Sequence, residues 1–210
     1  MLPIVIGVHH VFSWKKMEND MRTLYLMRVL HTDKESGDIQ KAVLEKREAT
    51  FCKEQSESYG KWIEKEWEAF SRAILTHVCT RSDVINKLHI FADSIPDVAD
   101  APIKKGVREL AAKNIPMHVI ILTLMERGAH LHGTEDLNLL REERNYAQSV
   151  FHGSPPDSQK EKDLLHARDG AIARHIADTV PDGETAMLFI GKAHEVEIKL
   201  RDLAPDFTII

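Results

Sequence analysis

Short apolar segments alternate with longer amphipathic ones along the second half of the chain, and this alternation constrains the fold most. Leu88–Ala92 (LHIFA) and 185–190 (TAMLFI) are apolar and strand-sized, which is typical of strands buried on both faces of a parallel sheet. Helical patterns follow at 103–111, 114–127, 137–150 and 162–180, and a last one ends at Leu203. Because strands that alternate with helices need crossover connections, the sequence predicts an α/β fold with a central, mostly parallel sheet flanked by helices.

Three further segments complete the predicted sheet. They are the apolar segment 2–8 (LPIVIGV), the segment 129–133 (AHLHG) and the C-terminal segment 207–210. Asn114 and Pro116 form a start signal for one helix, with Asn114 as the capping residue, and Gly128 is a typical residue to end it.

Residues 13–78 differ from the rest because they are densely charged with balanced signs. Apolar residues recur at helical spacing on both sides of a break at 34–38; they are Met17, Met21, Leu24, Ile63, Trp67, Phe70, Ile74 and Val78. We therefore predict one α/β domain over 1–210, with 13–78 as a long helical insertion after the first strand. The charges indicate a solvated helix face, and the alternative is a helical hairpin that binds a partner or forms a homodimer.

Composition excludes several classes of function. The formal net charge of -5 argues against a protein that grips nucleic acid, which usually carries a basic excess. Two cysteines, Cys52 and Cys79, form neither a disulfide framework nor a thiolate metal site. No apolar run approaches the ~20 residues of a membrane span, and no signal-peptide pattern opens the sequence. These features predict a cytoplasmic protein that does not bind membranes.

Three predicted strands end in a glycine that is followed by a residue able to bind metal or transfer protons. The three loops hold Gly7 with His10, Gly133 with Glu135, and Gly191 with His194. Ligands of open parallel sheets bind beyond the carboxyl ends of the strands, so the three loops are expected to meet at one edge. The glycines let the chain turn sharply and let a substrate approach the backbone.

Two histidines and a carboxylate can act in two ways. They can hold a divalent ion such as Zn²⁺, Mn²⁺ or Co²⁺, with one position left for water. Without metal, one of them can act as a general base on water. The plain alternative is three unrelated loop residues. The sequence contains no G-x-S-x-G, P-loop, G-x-G-x-x-G or HExxH motif.

The segments GVHHV and FIGKAHEVEIKL resemble the paired GxxH motifs of the TraB/Tiki family, which belongs to a superfamily with the erythromycin esterases and haem-binding lipoproteins. LMERGAHLHGTEDLNLL resembles the middle strand of that family, and RDGAIARHI resembles its Arg-(Asp/Asn) helix. The resemblance covers mainly 1–12 and 120–210. It implies an α/β fold whose active site contains His10, Glu135 and His194, and it nominates Arg168 and Asp169; a similar pair, Arg144-Asn145, lies on the preceding helix.

The resemblance also implies an activity, namely metal-dependent peptide hydrolysis or metal-free ester hydrolysis by a water-activating histidine. We therefore expect a hydrolase of small-molecule or peptide substrates in which Arg168 orients the substrate. The alternative is a regulatory protein that binds a small molecule, haem or peptide in the same pocket without chemistry. The absence of a signal, an anchor and disulfides departs from the secreted and membrane-tethered relatives and puts their extracellular substrates in doubt.

Several other polar residues have both a functional and a structural interpretation. Asp93 follows a strand and is a further candidate acid, whereas Lys192 is either an oxyanion donor or a solvated lysine. His130 and His132 share one side of their strand, where they either support a ligand or pack at the edge of the core. Asp136 is expected to interact with a helix N-terminus, and His9 points away from His10.

Overall fold

In the part of the chain that the structure describes, a parallel sheet surrounds a buried apolar strand at 185–191. The computed structural model describes residues 21–29, 53–78 and 82–210. Within them, five parallel strands pair in the order β3-β2-β4-β1-β5. They are β1 (Arg22–Val29), β2 (Leu88–Ala92), β3 (His130–Leu131), β4 (Thr185–Gly191) and β5 (Phe207–Ile209). The predicted α/β fold with a parallel sheet is confirmed.

Helices cover both faces of this sheet. In the described part of the chain they are α1 (Lys53–Val78), α2 (Ser82–Ile85), α3 (Asp100–Ala112), α4 (Pro116–Glu126), α5 (Leu137–Phe151), α6 (Ser158–Thr179) and α7 (Val196–Leu203). Buried side chains of α1, α3 and α4 pack on one face, called here the first face. Those of α6 and α7 pack on the opposite, second face. Along β4, Met187 and Phe189 belong to the first core, and Ala186, Leu188 and Ile190 belong to the second.

The prediction of a helix around Met21 and Leu24 is wrong, because residues 22–29 form strand β1. This strand lies between β4 and β5, with Leu24 paired to Ala186 on one side and to Ile209 on the other. Leucine, methionine and arginine favour helices in isolation, but burial between two strands outweighs that weak preference. The stretch 13–78 therefore contributes a central strand as well as the confirmed helix α1.

The helix start at Asn114 also needs correction. The residue that caps α4 is Ile115, and no side chain bonds to the helix end there. Asn114 instead has a φ of 55°, a left-handed conformation that turns the chain between α3 and α4. Gly128, with a φ of 111°, follows the end of α4 as predicted.

Other predictions fall outside the described residues. They are the strand at 2–8, the break at 34–38, both cysteines, and the loop that holds Gly7, His9 and His10. Of the helices that are described, none is both long and apolar enough to cross a membrane.

The chain leaves two neighbouring strands in opposite directions. After β2 it passes to α3 and α4 on the first face, whereas after β4 it passes to α7 on the second face. Ligands of open α/β sheets bind where adjacent strands diverge in this way, beyond their carboxyl ends. The carboxyl ends of β2 and β4 are therefore the place to look for a functional site.

Candidate functional site

Three polar residues follow the carboxyl ends of adjacent strands. Asp93 comes directly after β2, Glu135 follows β3, and His194 follows β4. The backbone N–H of Asp93 donates to the Phe189 carbonyl at 2.8 Å, and the Gly191 N–H donates to Asp93 Oδ2 at 3.3 Å. These bonds extend the β2–β4 pairing past the strands and hold the Asp93 side chain between the two loops.

Glu135 is fully buried and forms an ion pair with Arg168 of α6. Arg168 Nε donates to Glu135 Oε2 at 2.7 Å, and Arg168 Nη2 donates to Glu135 Oε1. The Ser94 N–H donates to Oε1 as well, at 3.0 Å. Because Arg168 is only 4% exposed, loss of either partner would leave a buried charge, which costs about 3–5 kcal/mol.

Two other carboxylates contact the same guanidinium. Arg168 Nη2 lies 3.4 Å from Asp93 Oδ1, and Arg168 Nη1 donates to Glu143 Oε1 of α5 at 2.5 Å. Burial alone would lower the pKa of Arg168, but the hydrogen bonds and charges of Glu135, Glu143 and Asp93 outweigh it and raise the pKa. The arginine is therefore a permanent cation among three carboxylates.

The loop after β3 places Glu135 through backbone contacts that the sequence permits. A Cβ at Gly133 would lie 2.6 Å from the Pro96 carbonyl oxygen, so only glycine lets the two loops approach this closely. Thr134 Oγ1 accepts from the Ala92 N–H at 2.9 Å. Asp136 then caps α5 by accepting from two backbone N–H groups, in agreement with the expectation that it interacts with a helix N-terminus.

His194 is buried and contacts a carboxylate of α6. The Nδ1 atom lies 2.5 Å from Asp169 Oδ1, and Asp169 Oδ2 accepts from the Glu195 N–H at 2.7 Å. On the other side of the ring, Nε2 lies 3.7 Å from Asp93 Oδ2, beyond direct hydrogen-bond distance. A neutral imidazole that donates Nδ1–H to Asp169 carries its free lone pair on Nε2, the nitrogen that faces Asp93.

An arginine on β1 holds the backbone of the His194 loop. Arg28 Nη1 donates to the carbonyl oxygens of His194 (2.5 Å) and Gly191 (3.3 Å). Its Nη2 donates to Glu197 Oε1 of α7 at 2.6 Å. Because the side chain binds both ends of the turn, it fixes the distance of His194 from the end of β4.

The structure thus joins three of the predicted site residues, Glu135, Arg168 and His194, through Asp93. The side chain of Arg168 is buried, so its ion pair with Glu135 is not a surface salt bridge. Lys192 is exposed. The residues that the sequence analysis did not find are Arg28 and Glu143; each acts on a residue far away in the chain, and nothing in its own neighbourhood distinguishes it.

The residues described at this edge do not fit a metal site by themselves. Both oxygens of Glu135 accept from Arg168, whose positive charge would repel a second cation at that carboxylate. Among the described residues, no group of three histidine, cysteine or acidic side chains is placed to hold a metal. His10, the remaining predicted ligand, lies outside them.

A second polar group, called here the histidine cluster, consists of His89 on β2, His130 on β3 and His132 directly after β3. His89 Nδ1 lies 2.9 Å from His132 Nε2, and His89 Nε2 lies 2.6 Å from Glu184 Oε2. The His130 and His132 rings both stack on His89. Burial, followed by the nearby His89, His175 and His130, lowers the pKa of His132 to about 4. These contacts support the interpretation of His132 as a packed histidine at the core edge, whereas His130 stacks on His89 but is exposed to solvent.

Comparison with protein families finds no match to this chain. Comparison with curated proteins and with solved structures finds none either. The resemblance to the TraB/Tiki family is therefore one of short motifs alone.

Proposed function

We propose that the protein is a hydrolase in which His194 activates a water molecule for attack on an ester or peptide carbonyl group. The observation that carries this proposal is the Asp169–His194 pair beside Asp93, at the point where β2 and β4 diverge. A carboxylate that holds one imidazole nitrogen leaves the other as a general base, which is the arrangement used by many hydrolases.

The proton path follows from the two ring nitrogens. Asp169 accepts Nδ1–H, so Nε2 takes the proton of the water as its oxygen bonds to the carbonyl carbon. The imidazolium then lies between two carboxylates, Asp169 and Asp93, which stabilise its charge. Nε2 returns the proton to the leaving oxygen or nitrogen as the carbonyl–heteroatom bond breaks.

Arg168 and Glu135 have a supporting part in this scheme. Both oxygens of Glu135 accept hydrogen bonds from Arg168, so this carboxylate is occupied by the ion pair. The pair instead ties α6, which carries Asp169, to the loop after β3. In this proposal Glu135 has a positioning role, in place of the role in water activation that the sequence led us to expect.

A metal-dependent form of the same hydrolase remains an alternative, with Zn²⁺, Mn²⁺ or Co²⁺ on His10, Glu135 and His194. The contacts of Glu135 with Arg168 favour the metal-free form over this metal-dependent one, because a metal ion would have to share the Glu135 carboxylate with a guanidinium.

The test is turnover of chelator-treated protein with 4-nitrophenyl esters and a peptide panel. We expect metal-free hydrolysis that falls about 100-fold or more in His194→Gln, which is typical for loss of a general base. His166→Gln is the matched control, since His166 is exposed on α6 and contacts Lys199. Unchanged turnover in His194→Gln would contradict the proposal. Activity that requires stoichiometric metal and disappears in His10→Ala would favour the metal-dependent form.

A second candidate function is binding of a small molecule, haem or peptide without chemistry. It is favoured by the ion pair of Glu135 and Arg168, because both oxygens of this carboxylate accept hydrogen bonds from the arginine. Glu135 then has a structural role. Ligand-dependent thermal stabilisation without any turnover would support this candidate.

A further inference from the structure

The three carboxylates that contact Arg168 differ sharply in their exposure to solvent. Glu135 is fully buried and the Asp93 side chain is 7% exposed, whereas the Glu143 side chain is 44% exposed. Glu143 reaches Nη1 from α5 with a single hydrogen bond. Of the three, it is therefore the carboxylate that can move into solvent without leaving a buried charge unpaired.

We infer that Glu143 occupies the position of a substrate carboxylate on Arg168, and that the protein acts on esters or peptides with a free carboxylate group. This inference rests on the proposed function for the reaction, but it concerns the binding of the substrate. When Glu143 turns outward, Arg168 Nη1 presents a charged donor to the solvent side of the site, which suits a carboxylate.

The charge balance around Arg168 favours a substrate carboxylate that replaces Glu143 over one that binds in addition to it. Asp93, Glu135 and Glu143 already outnumber the single guanidinium, so a further anion beside them would be repelled. A substrate carboxylate that replaces Glu143 leaves the charge around Arg168 unchanged. Glu143 thus selects for ligands whose anionic group can take over its own hydrogen bond.

The position of this subsite limits the size of the substrate. Asp93 separates the two partners, with Oδ1 3.4 Å from Arg168 Nη2 and Oδ2 3.7 Å from His194 Nε2. The guanidinium that carries the subsite, through its other nitrogen Nη2, and the general base therefore flank one carboxylate group. A substrate that spans them has its free carboxylate a few bonds from the scissile carbonyl, as in a short dicarboxylic acid monoester.

The binding test uses succinate and calorimetry at constant ionic strength. An ion pair of this exposure contributes up to about 1 kcal/mol, so Glu143→Ala should bind succinate up to about fivefold more tightly than wild type. Glu142→Ala is the matched control. Glu142 is the neighbouring residue on α5, its side chain is 55% exposed, and its Oε1 lies 3.7 Å from Lys160 Nζ. Equal succinate affinity in wild type and Glu143→Ala would overturn the inference, and so would an equal gain in both variants.

The turnover test compares mono-4-nitrophenyl succinate with neutral 4-nitrophenyl butanoate. The ratio of their kcat/KM values should favour the succinate ester in wild type and rise in Glu143→Ala, but not in Glu142→Ala. A preference for the neutral ester in wild type would overturn the inference. Tighter succinate binding by Glu143→Ala without hydrolysis of either ester would support the carboxylate subsite on Arg168 and contradict the proposed function, so the two failures are distinguishable.

Discussion

Asp169 and Asp93 flank the same imidazole but contribute differently to it. Asp169 accepts from Nδ1 at 2.5 Å and also from the Glu195 N–H, so it fixes both the tautomer and the orientation of the ring. Asp93 lies 3.7 Å from Nε2 and makes no direct hydrogen bond with it. Its distance suits a group that orients a water molecule and stabilises the imidazolium.

Asp169→Asn should therefore abolish most turnover without unfolding the protein. An asparagine amide can donate to Nδ1, which would place the proton of the neutral ring on Nε2 and remove the general base. We expect kcat/KM to fall by about 100-fold or more, as for other hydrolases of this kind. The measurement is a pH–rate profile with the best ester substrate.

The control for this prediction is Asp178→Asn, an exposed position on the same helix. It changes the net charge equally but lies outside the contacts described for His194. A profile for Asp169→Asn that coincides with those of wild type and the control would show that Asp169 does not act on the proton of His194.

The sequence predicted part of the site for a clear physical reason. A glycine followed by a polar residue at a strand end is a local pattern, and it identified Glu135 and His194. Asp169 came from the resemblance alone, and Glu143 was missed, because their partners depend on how α5 and α6 pack across the sheet. Such contacts join residues that are distant in sequence, and no local spacing records them.

Among the described strands, β3 has the shortest pairing with its neighbour. It pairs with β2 through only two residues, His130 and Leu131, yet it leads directly to Thr134 and Glu135. The His89–His132 hydrogen bond adds a contact across these strands. When both rings are neutral, His89 donates Nε2–H to Glu184 and accepts from His132, whereas two fully protonated rings cannot share a hydrogen bond.

This geometry predicts a specific loss of stability in mild acid. The pKa of His132 is lowered to about 4 in the folded protein, against 6.5 for an unperturbed histidine. Because the unfolded chain binds the proton first, the contribution of His132 is complete above pH 6.5 and is lost as the pH falls towards 4. Solvent screening of this half-buried ring reduces the loss below the roughly 3 kcal/mol that corresponds to the full shift.

The measurement is urea unfolding between pH 7 and 4 for wild type, His132→Gln and His152→Gln. His152 is an exposed residue that caps the end of α5, so its variant should follow wild type. His132→Gln should lose less stability across this range. A His132→Gln curve parallel to that of wild type would contradict the lowered pKa.

Strand β1 shows why a local pattern can mislead at this scale. Its sequence, RTLYLMRV, lies in a densely charged stretch and contains several good helix formers. Tyr25, Met27 and Val29 belong to the first core, and Leu24 belongs to the second, so the segment is buried on both faces. A strand of this kind lacks a period-2 alternation, and the surrounding charges concealed it. By contrast, β2 and β4 were predicted because each is an apolar segment that ends next to turn residues.

At the scale of the whole molecule, one sheet separates two hydrophobic cores. Ile120 of α4 lies in the core of the first face, and Ile176 of α6 lies in that of the second. Both cores contain side chains from the same strands. Detachment of either helix layer would therefore expose one apolar face of the sheet to solvent. The candidate site has the same dependence, since it joins loops after β2, β3 and β4 to α6.

This architecture predicts that the two cores unfold as one unit. Ile120→Val and Ile176→Val should each lower the free energy of unfolding by about 1 kcal/mol. Because the two residues lie on opposite faces, the double variant should show the sum to within about 0.5 kcal/mol.

The measurement is urea unfolding followed by tryptophan fluorescence and by circular dichroism. Trp62 and Trp67 lie on α1 at the first face, yet Ile176→Val should shift the fluorescence transition as much as the circular dichroism transition. Two separate transitions, or a fluorescence midpoint that ignores Ile176→Val, would show that the faces unfold independently.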